Sequence, residues 1–105
     1  MEVVYWNNKI ERFIKSLGNE TSMRVIRTIG VLERVGYLIE MPDSKSLGRG
    51  LFELRIHGER QVRIIYLFKG NKAYILHGFV KKTGAISRRD MDYARRIQKE
   101  VMTLA

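Results

Sequence analysis

Three short apolar runs decide the fold of this chain: Leu51-Phe52-Glu53-Leu54-Arg55-Ile56-His57, Val62-Arg63-Ile64-Ile65-Tyr66 and Ile75-Leu76-His77-Gly78-Phe79-Val80-Lys81-Lys82-Thr83. Each run carries cationic side chains within it or directly beside it. Strands that bury apolar side chains on one face gather their other side chains on the opposite face. Clustered guanidinium and ammonium groups on a rigid sheet suit phosphate, and the polymer that offers many phosphates is nucleic acid.

The overall charge favours the same class of partner. Twenty Lys and Arg residues oppose eleven Asp and Glu residues in a chain of 105, which gives a formal charge of +9. This balance favours nucleic acid or another anionic partner. A membrane partner is not expected, because no amphipathic stretch pairs a cationic face with an exposed bulky apolar one. The length predicts one domain over residues 1–105.

Other classes are excluded by what the sequence lacks. The chain has no cysteine, and its two histidines, His57 and His77, cannot supply a typical zinc site, so we expect neither a metal nor another cofactor. No stretch approaches ~18 apolar residues, so no membrane span is expected. Residues 1–6 do not have the pattern of a secretory signal, and a cytoplasmic location follows as the default.

The rest of the chain predicts the elements around the three runs. A β-prone run at 3–6 precedes two helices with apolar residues at helical spacing, and residues 43–50 have the composition of an exposed loop. The three strands, at 51–57, 61–69 and 72–81, are joined by links so short that they form antiparallel hairpins. Ser87 caps a last helix, with Asp90 in its first turn. The order β-α-α-β-β-β-α predicts an α+β fold: an antiparallel sheet with two N-terminal helices on one face and a C-terminal helix.

Alternation assigns two faces to this sheet. The larger apolar sets are predicted to pack under the first two helices: Phe52, Leu54, Ile56, Val62, Ile64, Tyr66, Phe68, Tyr74, Leu76 and Val80. The opposite face collects Glu53, Arg55, His57, Arg63, His77 and Lys81 around an apolar floor of Ile65, Leu67, Ile75 and Phe79, which the last helix partly covers. Glu53 is expected to pair with Arg63 or His77. Two interpretations stay open for the cations, a phosphate-binding cluster or solvated strand residues, and His77 is either a core histidine or a site residue.

Three segments carry a resemblance to a known family. They are Met41-Pro42-x-Ser44-Lys45-x-Leu47-Gly48-x-Gly50-Leu51-Phe52-Glu53-Leu54-Arg55, Arg63-Ile64-Ile65-Tyr66 and Leu76-His77-Gly78-Phe79-Val80-Lys81-Lys82-Thr83. Together they resemble the signature of HigB-like toxins of the RelE/ParE superfamily. The likeness covers nearly the whole chain, since the length and the order of elements also agree.

The resemblance implies a RelE-like fold and the toxin of a type II toxin–antitoxin pair. Most such toxins cut messenger RNA in the ribosomal A site, so the ribosome and mRNA are expected partners. A separate ParE branch inhibits DNA gyrase instead. The protein partner is an antitoxin, which in this subgroup is usually a small helix-turn-helix protein.

Carried over residue by residue, the resemblance points to Arg55, Arg63, Lys81 and Lys82 as catalytic groups. In metal-free cleavage the RNA's own 2′-hydroxyl attacks the adjacent phosphate. The two arginines are suited to stabilising the negative charge that develops on the phosphorane. The proton transfers could be carried out by Lys81, Lys82, His57 or His77. RNA docking is expected from His57, Arg88, Arg89, Arg95 and Arg96. The alternatives are a non-enzymatic ParE-like gyrase inhibitor or a basic nucleic-acid-binding module.

Overall fold

The computed structural model describes residues 1–82 and 84–104, which contain five strands and three α-helices. The elements are β1 (Glu2–Tyr5), α1 (Asn8–Ser16), α2 (Asn19–Val35), β2 (Ser44–Gly48), β3 (Leu51–Ile56), β4 (Val62–Lys69), β5 (Lys72–Val80) and α3 (Arg88–Met102), with a short 3-10 helix after α2. Thr83, which ends the third apolar run, and Ala105 lie outside the described residues. The α+β class and the order of the predicted elements are confirmed and agree with a RelE-like fold.

The five strands form one sheet in the order β1-β5-β4-β3-β2. Strands β2 to β5 pair antiparallel, as their short links predict, but β1 runs parallel to β5. The predicted antiparallel sheet is thus confirmed for β3, β4 and β5, and β1 adds a parallel strand at its edge. Two helices separate β1 from the other strands along the chain, so no tight turn dictates its direction.

Residues 43–50 are a second correction, because Ser44–Gly48 forms the edge strand β2 and not a loop. Ser44 lies opposite Leu54 and Ser46 opposite Phe52. The run Ser-Lys-Ser-Leu-Gly has no apolar alternation, and the reason is that an edge strand exposes most of its side chains. Ser44 is the buried exception, and its hydroxyl lies 2.6 Å from the hydroxyl of Tyr66.

The helices begin at side-chain caps where the sequence offers them. Asn7 Oδ1 accepts a hydrogen bond from the Lys9 amide at the start of α1, and Ser87 Oγ accepts one from the Asp90 amide at the start of α3. Gly36, with φ of 55°, ends α2. Within the described ranges, no helix combines the length and the apolarity needed to cross a membrane.

Two apolar layers cover the two faces of the sheet. Helices α1 and α2 bury Ile10, Ile14, Val25, Ile29 and Leu32 against one face, where Leu54, Ile56, Val62, Ile64 and Tyr66 meet them. Helix α3 buries Ala94, Ile97 and Val101 against the other face, where Leu51, Ile65, Leu67, Leu76 and Phe79 meet them. The predicted position of Tyr66 in the first layer is confirmed, and α3 covers the apolar floor as predicted.

A bulge in β5 changes the predicted faces of three residues. Tyr66 pairs with Ile75 and Ile65 pairs with His77, so Leu76 is an extra residue in the strand. Ile75 therefore joins the α1–α2 layer, although simple alternation placed it on the floor. Leu76 and Tyr74 pack in the α3 layer and not under the first two helices. After the bulge, His77 and Phe79 lie on the α3 face, as predicted.

Candidate nucleic-acid cleft

The second half of β5 lines a cleft of about 600 Å³ that lies between the first turns of α1 and of α3. Phe13, Leu76 and Phe79 supply apolar wall, and Tyr93 comes from α3. The charged and polar residues around it include Lys9, His77, Lys81, Lys82, Ser87, Arg89 and Asp90. The cleft thus joins three of the predicted catalytic residues, His77, Lys81 and Lys82, with one predicted RNA-binding residue, Arg89.

A hydrogen bond joins His77 to Asp90 in this cleft. Nε2 of His77 lies 2.7 Å from Oδ1 of Asp90, and Ser87 Oγ donates to the other carboxylate oxygen over 2.7 Å. Partial burial raises the pKa of Asp90, but the hydrogen bonds from His77 and Ser87 outweigh this, and the net pKa lies below its ordinary value. An ionised carboxylate only accepts hydrogen bonds, so Nε2 carries the proton of this bond.

The remaining ring nitrogen of His77 follows from that assignment. In a neutral imidazole protonated at Nε2, Nδ1 is a proton acceptor. No side chain or main-chain group of the described residues forms a hydrogen bond with Nδ1. Asp90 thus orients the ring through Nε2, and Nδ1 is the nitrogen left to accept a proton when the imidazole is neutral.

Aromatic contacts hold the histidine ring from the side. The His77 ring centroid lies 4.7 Å from that of Tyr93 and 5.4 Å from that of Phe79. The guanidinium of Arg96 lies 5.0 Å from the Tyr93 centroid, within cation–π range. The imidazole, the phenol and the guanidinium thus form a continuous set of contacts from the sheet to the outer surface of α3.

Arg55 and Arg63 form a second cluster on the same face of the sheet, outside the lining of the cleft. They lie opposite each other on β3 and β4, with Arg63 also opposite Phe79 of β5. Glu53 lies between them, with its carboxylate oxygens 3.7 Å from Arg55 Nε and 3.9 Å from Arg63 Nε. The predicted pairing of Glu53 with Arg63 is confirmed, whereas His77 pairs with Asp90.

Burial separates the roles open to these two arginines. Arg63 is 2% exposed and Glu53 is 4% exposed, while the side chain of Arg55 keeps 21% of its surface. Burial lowers the pKa of Arg63, Glu53 raises it, and Arg55 lowers it further, so that the net pKa lies below its ordinary value. Of the two arginines, Arg55 keeps the larger exposed side-chain surface, although its Nε is buried.

The other predicted RNA-binding residues lie in three places. His57 is exposed in the β3–β4 turn, where Nδ1 lies 3.0 Å from Gln61 Oε1. Arg88 and Arg89 lie in the first turn of α3 and are exposed. Arg95 is different, because both of its terminal nitrogens donate to the Gly48 carbonyl over 3.2 Å. Arg95 thereby ties α3 to the β2–β3 turn.

Two site residues were missed in the sequence because their partners are distant along the chain. Asp90 has the signature of a helix-capping residue, and nothing local shows that it faces His77. Lys9 has the pattern of an exposed residue at a helix start, although it lines the cleft. In the described ranges, no group of three or more His, Asp or Glu side chains is placed to hold a metal ion.

Comparison with known proteins gives the family of this chain. No curated protein matches this chain. Residues 12–99 match the family model described as phage derived protein Gp49-like (DUF891). Members of this family are commonly toxins of toxin–antitoxin systems, which implies an antitoxin partner. Because the match covers most of the chain, the chain belongs to the Gp49-like family of phage-derived proteins, a family of RelE/HigB-like toxins.

Proposed function

We propose that this chain is a ribosome-dependent mRNA endonuclease, the HigB-like toxin of a type II toxin–antitoxin pair. The observation that carries the proposal is the His77–Asp90 pair inside a cleft lined with Lys81, Lys82 and Arg89. A basic nitrogen among cations can take a proton from a sugar hydroxyl beside a phosphate that those cations hold. The membership of a toxin family supports the same assignment.

The cleavage step uses groups of the RNA and of the cleft. Nδ1 of His77 accepts the proton of a ribose 2′-hydroxyl, and the resulting oxygen attacks the adjacent phosphorus. The bond from phosphorus to the 5′ oxygen breaks, and the ammonium of Lys81 or Lys82 gives that oxygen a proton. The products are a 2′,3′-cyclic phosphate and a 5′-hydroxyl. Asp90 stays ionised and stabilises the imidazolium that forms on His77.

Charge on the phosphorane is offset by the cations around it. Arg89 lies in the cleft, as does the lysine that does not act as the acid. Arg55 lies on the same face of the sheet, with part of its side chain exposed. Arg63 is proposed to act indirectly, since its buried side chain holds Glu53, which lies beside Arg55. This arrangement keeps all four predicted basic residues in the reaction, with Arg63 as a positioning residue.

Docking of ribosomal RNA is proposed for the exposed cations at the rim of the cleft and outside it. Arg88, Arg89 and Arg96 follow one another along the outer surface of α3, and His57 lies at the end of the sheet where β5 delivers Lys81. Arg95, tied to the Gly48 carbonyl, contributes least. Binding through several such cations predicts a steep loss of affinity with salt. The antitoxin is proposed to be a small helix-turn-helix protein.

Induced expression of variants in a bacterial host tests the nuclease proposal. His77→Gln and Lys81→Ala should abolish growth arrest and transcript cleavage while leaving the circular dichroism spectrum unchanged. Arg27→Ala is the matched control, because it removes one positive charge from an exposed position on α2 and should remain toxic. Arg63→Ala is a poor test, because it leaves the carboxylate of Glu53 buried beside a deleted partner.

Mapping of transcript ends by primer extension separates this function from its rivals. The proposal expects new 5′ ends in messenger RNA after induction of the natural sequence and none after induction of His77→Gln. Intact messenger RNA together with a DNA-damage response would establish a gyrase inhibitor instead. Affinity for RNA without cleavage or growth arrest would establish a binding module.

A further inference from the structure

Among residues 1–82 and 84–104, no strand pairs with one edge of β5 where it lines the cleft. β1 pairs with β5 only from Lys72 to Ile75, and the Trp6 amide donates to the Ile75 carbonyl where β1 ends. The chain then turns into α1, and β5 continues to Val80 with β4 on its other side. A strand without a neighbour presents main-chain N–H and C=O groups that a ligand can use.

The pairing register shows which residues turn these groups outward. The Lys81 amide donates to the Gln61 carbonyl over 2.7 Å, so the position at Lys81 faces β4. Hydrogen-bonded and non-bonded pairs alternate along antiparallel strands. His77 and Phe79, which lie opposite Ile65 and Arg63, therefore also face β4. Gly78 and Val80 must direct their N–H and C=O groups to the open edge.

Gly78 and Val80 both line the cleft, and cations surround them. Lys9 lies across the cleft on α1, while Lys81, Lys82 and Arg89 lie on the other sides. Phe13 packs against Gly78 so closely that a Cβ atom there would lie 2.7 Å from Phe13 Cδ2. The absence of a side chain at Gly78 thus allows α1 to close one wall beside the edge.

We propose that the open edge of β5 binds the ribose–phosphate backbone of a single RNA strand. The N–H groups of Gly78 and Val80 donate to phosphate oxygens, and their C=O groups accept from ribose hydroxyls. This inference rests on the proposed function and adds a main-chain contact surface to it. Residues two apart in a strand are ~6.6 Å apart, which resembles the spacing of successive phosphates in an extended chain.

RNA fits this edge better than an added peptide strand does. Peptides that extend a sheet need a run of outward-facing residues, whereas the edge offers two before the strand ends at Val80. Four cations line the cleft, and the carboxylate of Asp90 is engaged by His77 and Ser87. Carbonyl acceptors also give a reason to prefer RNA, since DNA lacks the 2′-hydroxyl donor.

Amide resonances of the natural protein test the inference directly. The probe is hexauridylate, added without ribosomes to ¹⁵N-labelled protein. The amides of Gly78 and Val80 should shift saturably and exchange with solvent more slowly, while the amide of Ser46 in the opposite edge strand should not respond. Hexadeoxyuridylate, which lacks the 2′-hydroxyl, should bind more weakly.

A pair of variants at Val80 isolates one of the N–H groups. Val80→Pro removes a donor that the sheet does not use, while Val80→Ala removes a similar part of the side chain and keeps the donor. Hexauridylate should bind the proline variant about tenfold more weakly than the alanine variant, the loss expected for one charge-assisted hydrogen bond. If the proline variant does not fold, the amide shifts of the natural protein decide the question.

Each outcome bears on a different part of the proposal. Shifts at His77 and Lys82 with unmoved amides at Gly78 and Val80 would overturn the edge contact and leave the nuclease cleft in place. Protection of these two amides by a copurifying antitoxin but not by RNA would overturn the assignment to RNA. No response anywhere in the cleft, together with intact transcripts in cells, would overturn the edge contact and the nuclease proposal together.

Discussion

Removing the charge of Glu53 should destabilise the protein far more than a typical surface substitution. The carboxylate is 4% exposed and lies between the guanidinium groups of Arg55 and Arg63, which face each other across β3 and β4. Glu53→Gln keeps the size of the side chain but leaves the two like charges uncompensated, one of them on a residue that is 2% exposed. The cost is therefore electrostatic and not a packing defect.

The magnitude follows from the geometry of the pair. Deleting one partner of a buried ion pair costs about 3–5 kcal/mol. Both oxygen-to-Nε distances, 3.7 and 3.9 Å, are longer than a direct hydrogen bond, and Arg55 is partly solvated, so the low end applies. We expect a loss of about 3 kcal/mol in the free energy of unfolding, a large share of the ~5–15 kcal/mol typical of such domains.

Urea denaturation measures this loss, and a second substitution gives the control. The midpoint should fall for Glu53→Gln with little change in the slope of the transition. The double variant Glu53→Gln/Arg63→Met should recover most of the stability, because it removes the buried charge that lost its partner. A loss below about 1 kcal/mol, or a double variant no more stable than Glu53→Gln alone, would refute the electrostatic account.

Three further predictions concern Asp90, Gly78 and Tyr66. The pKa of Asp90 is lowered in the fold, so this carboxylate adds stability above its ordinary value of 3.8 that is lost as the pH falls through the lowered value; Asp90→Asn should flatten the loss of stability in acid urea titrations below about pH 4. Gly78→Ala places a Cβ atom 2.7 Å from the Phe13 ring, and should lower the melting temperature by the equivalent of about 1–3 kcal/mol, with partial rescue by Phe13→Leu. Tyr66→Phe removes the hydroxyl that lies 2.6 Å from buried Ser44, and should cost about 1–2 kcal/mol in chemical denaturation; no loss would mean that the pair is dispensable.

Alternation within single strands made much of the sheet predictable. The boundaries of β3 and β4 differ from the predicted ones by one residue at one end, and Tyr66 lies in the predicted layer. The cations of β3 and β4 share a face, as predicted, because side-chain direction along a regular strand depends on position alone.

Long-range pairing explains what alternation missed. The edge strand β2 has no apolar pattern of its own, and it is a strand because it pairs with β3. The extra residue at Leu76 appears only when β4 and β5 are set side by side. In the same way, Asp90 is separated by thirteen positions from His77, and only the packing of α3 on the sheet makes it part of the cleft. The sequence pattern marks Arg63 as a ligand-binding cation. In the structure its side chain is buried and forms an ion pair with Glu53.

The open edge of β5 also bears on how copies of this protein behave toward one another. Exposed strand edges promote self-association, since the edges of two copies can form main-chain hydrogen bonds with each other. In this protein four cations lie around the open edge: Lys9, Lys81, Lys82 and Arg89. A second copy that paired with this edge would bring the same four positive charges close to them. Electrostatic repulsion between copies therefore opposes self-assembly through this edge. Because salt screens this repulsion, the concentrated protein should aggregate least at low ionic strength.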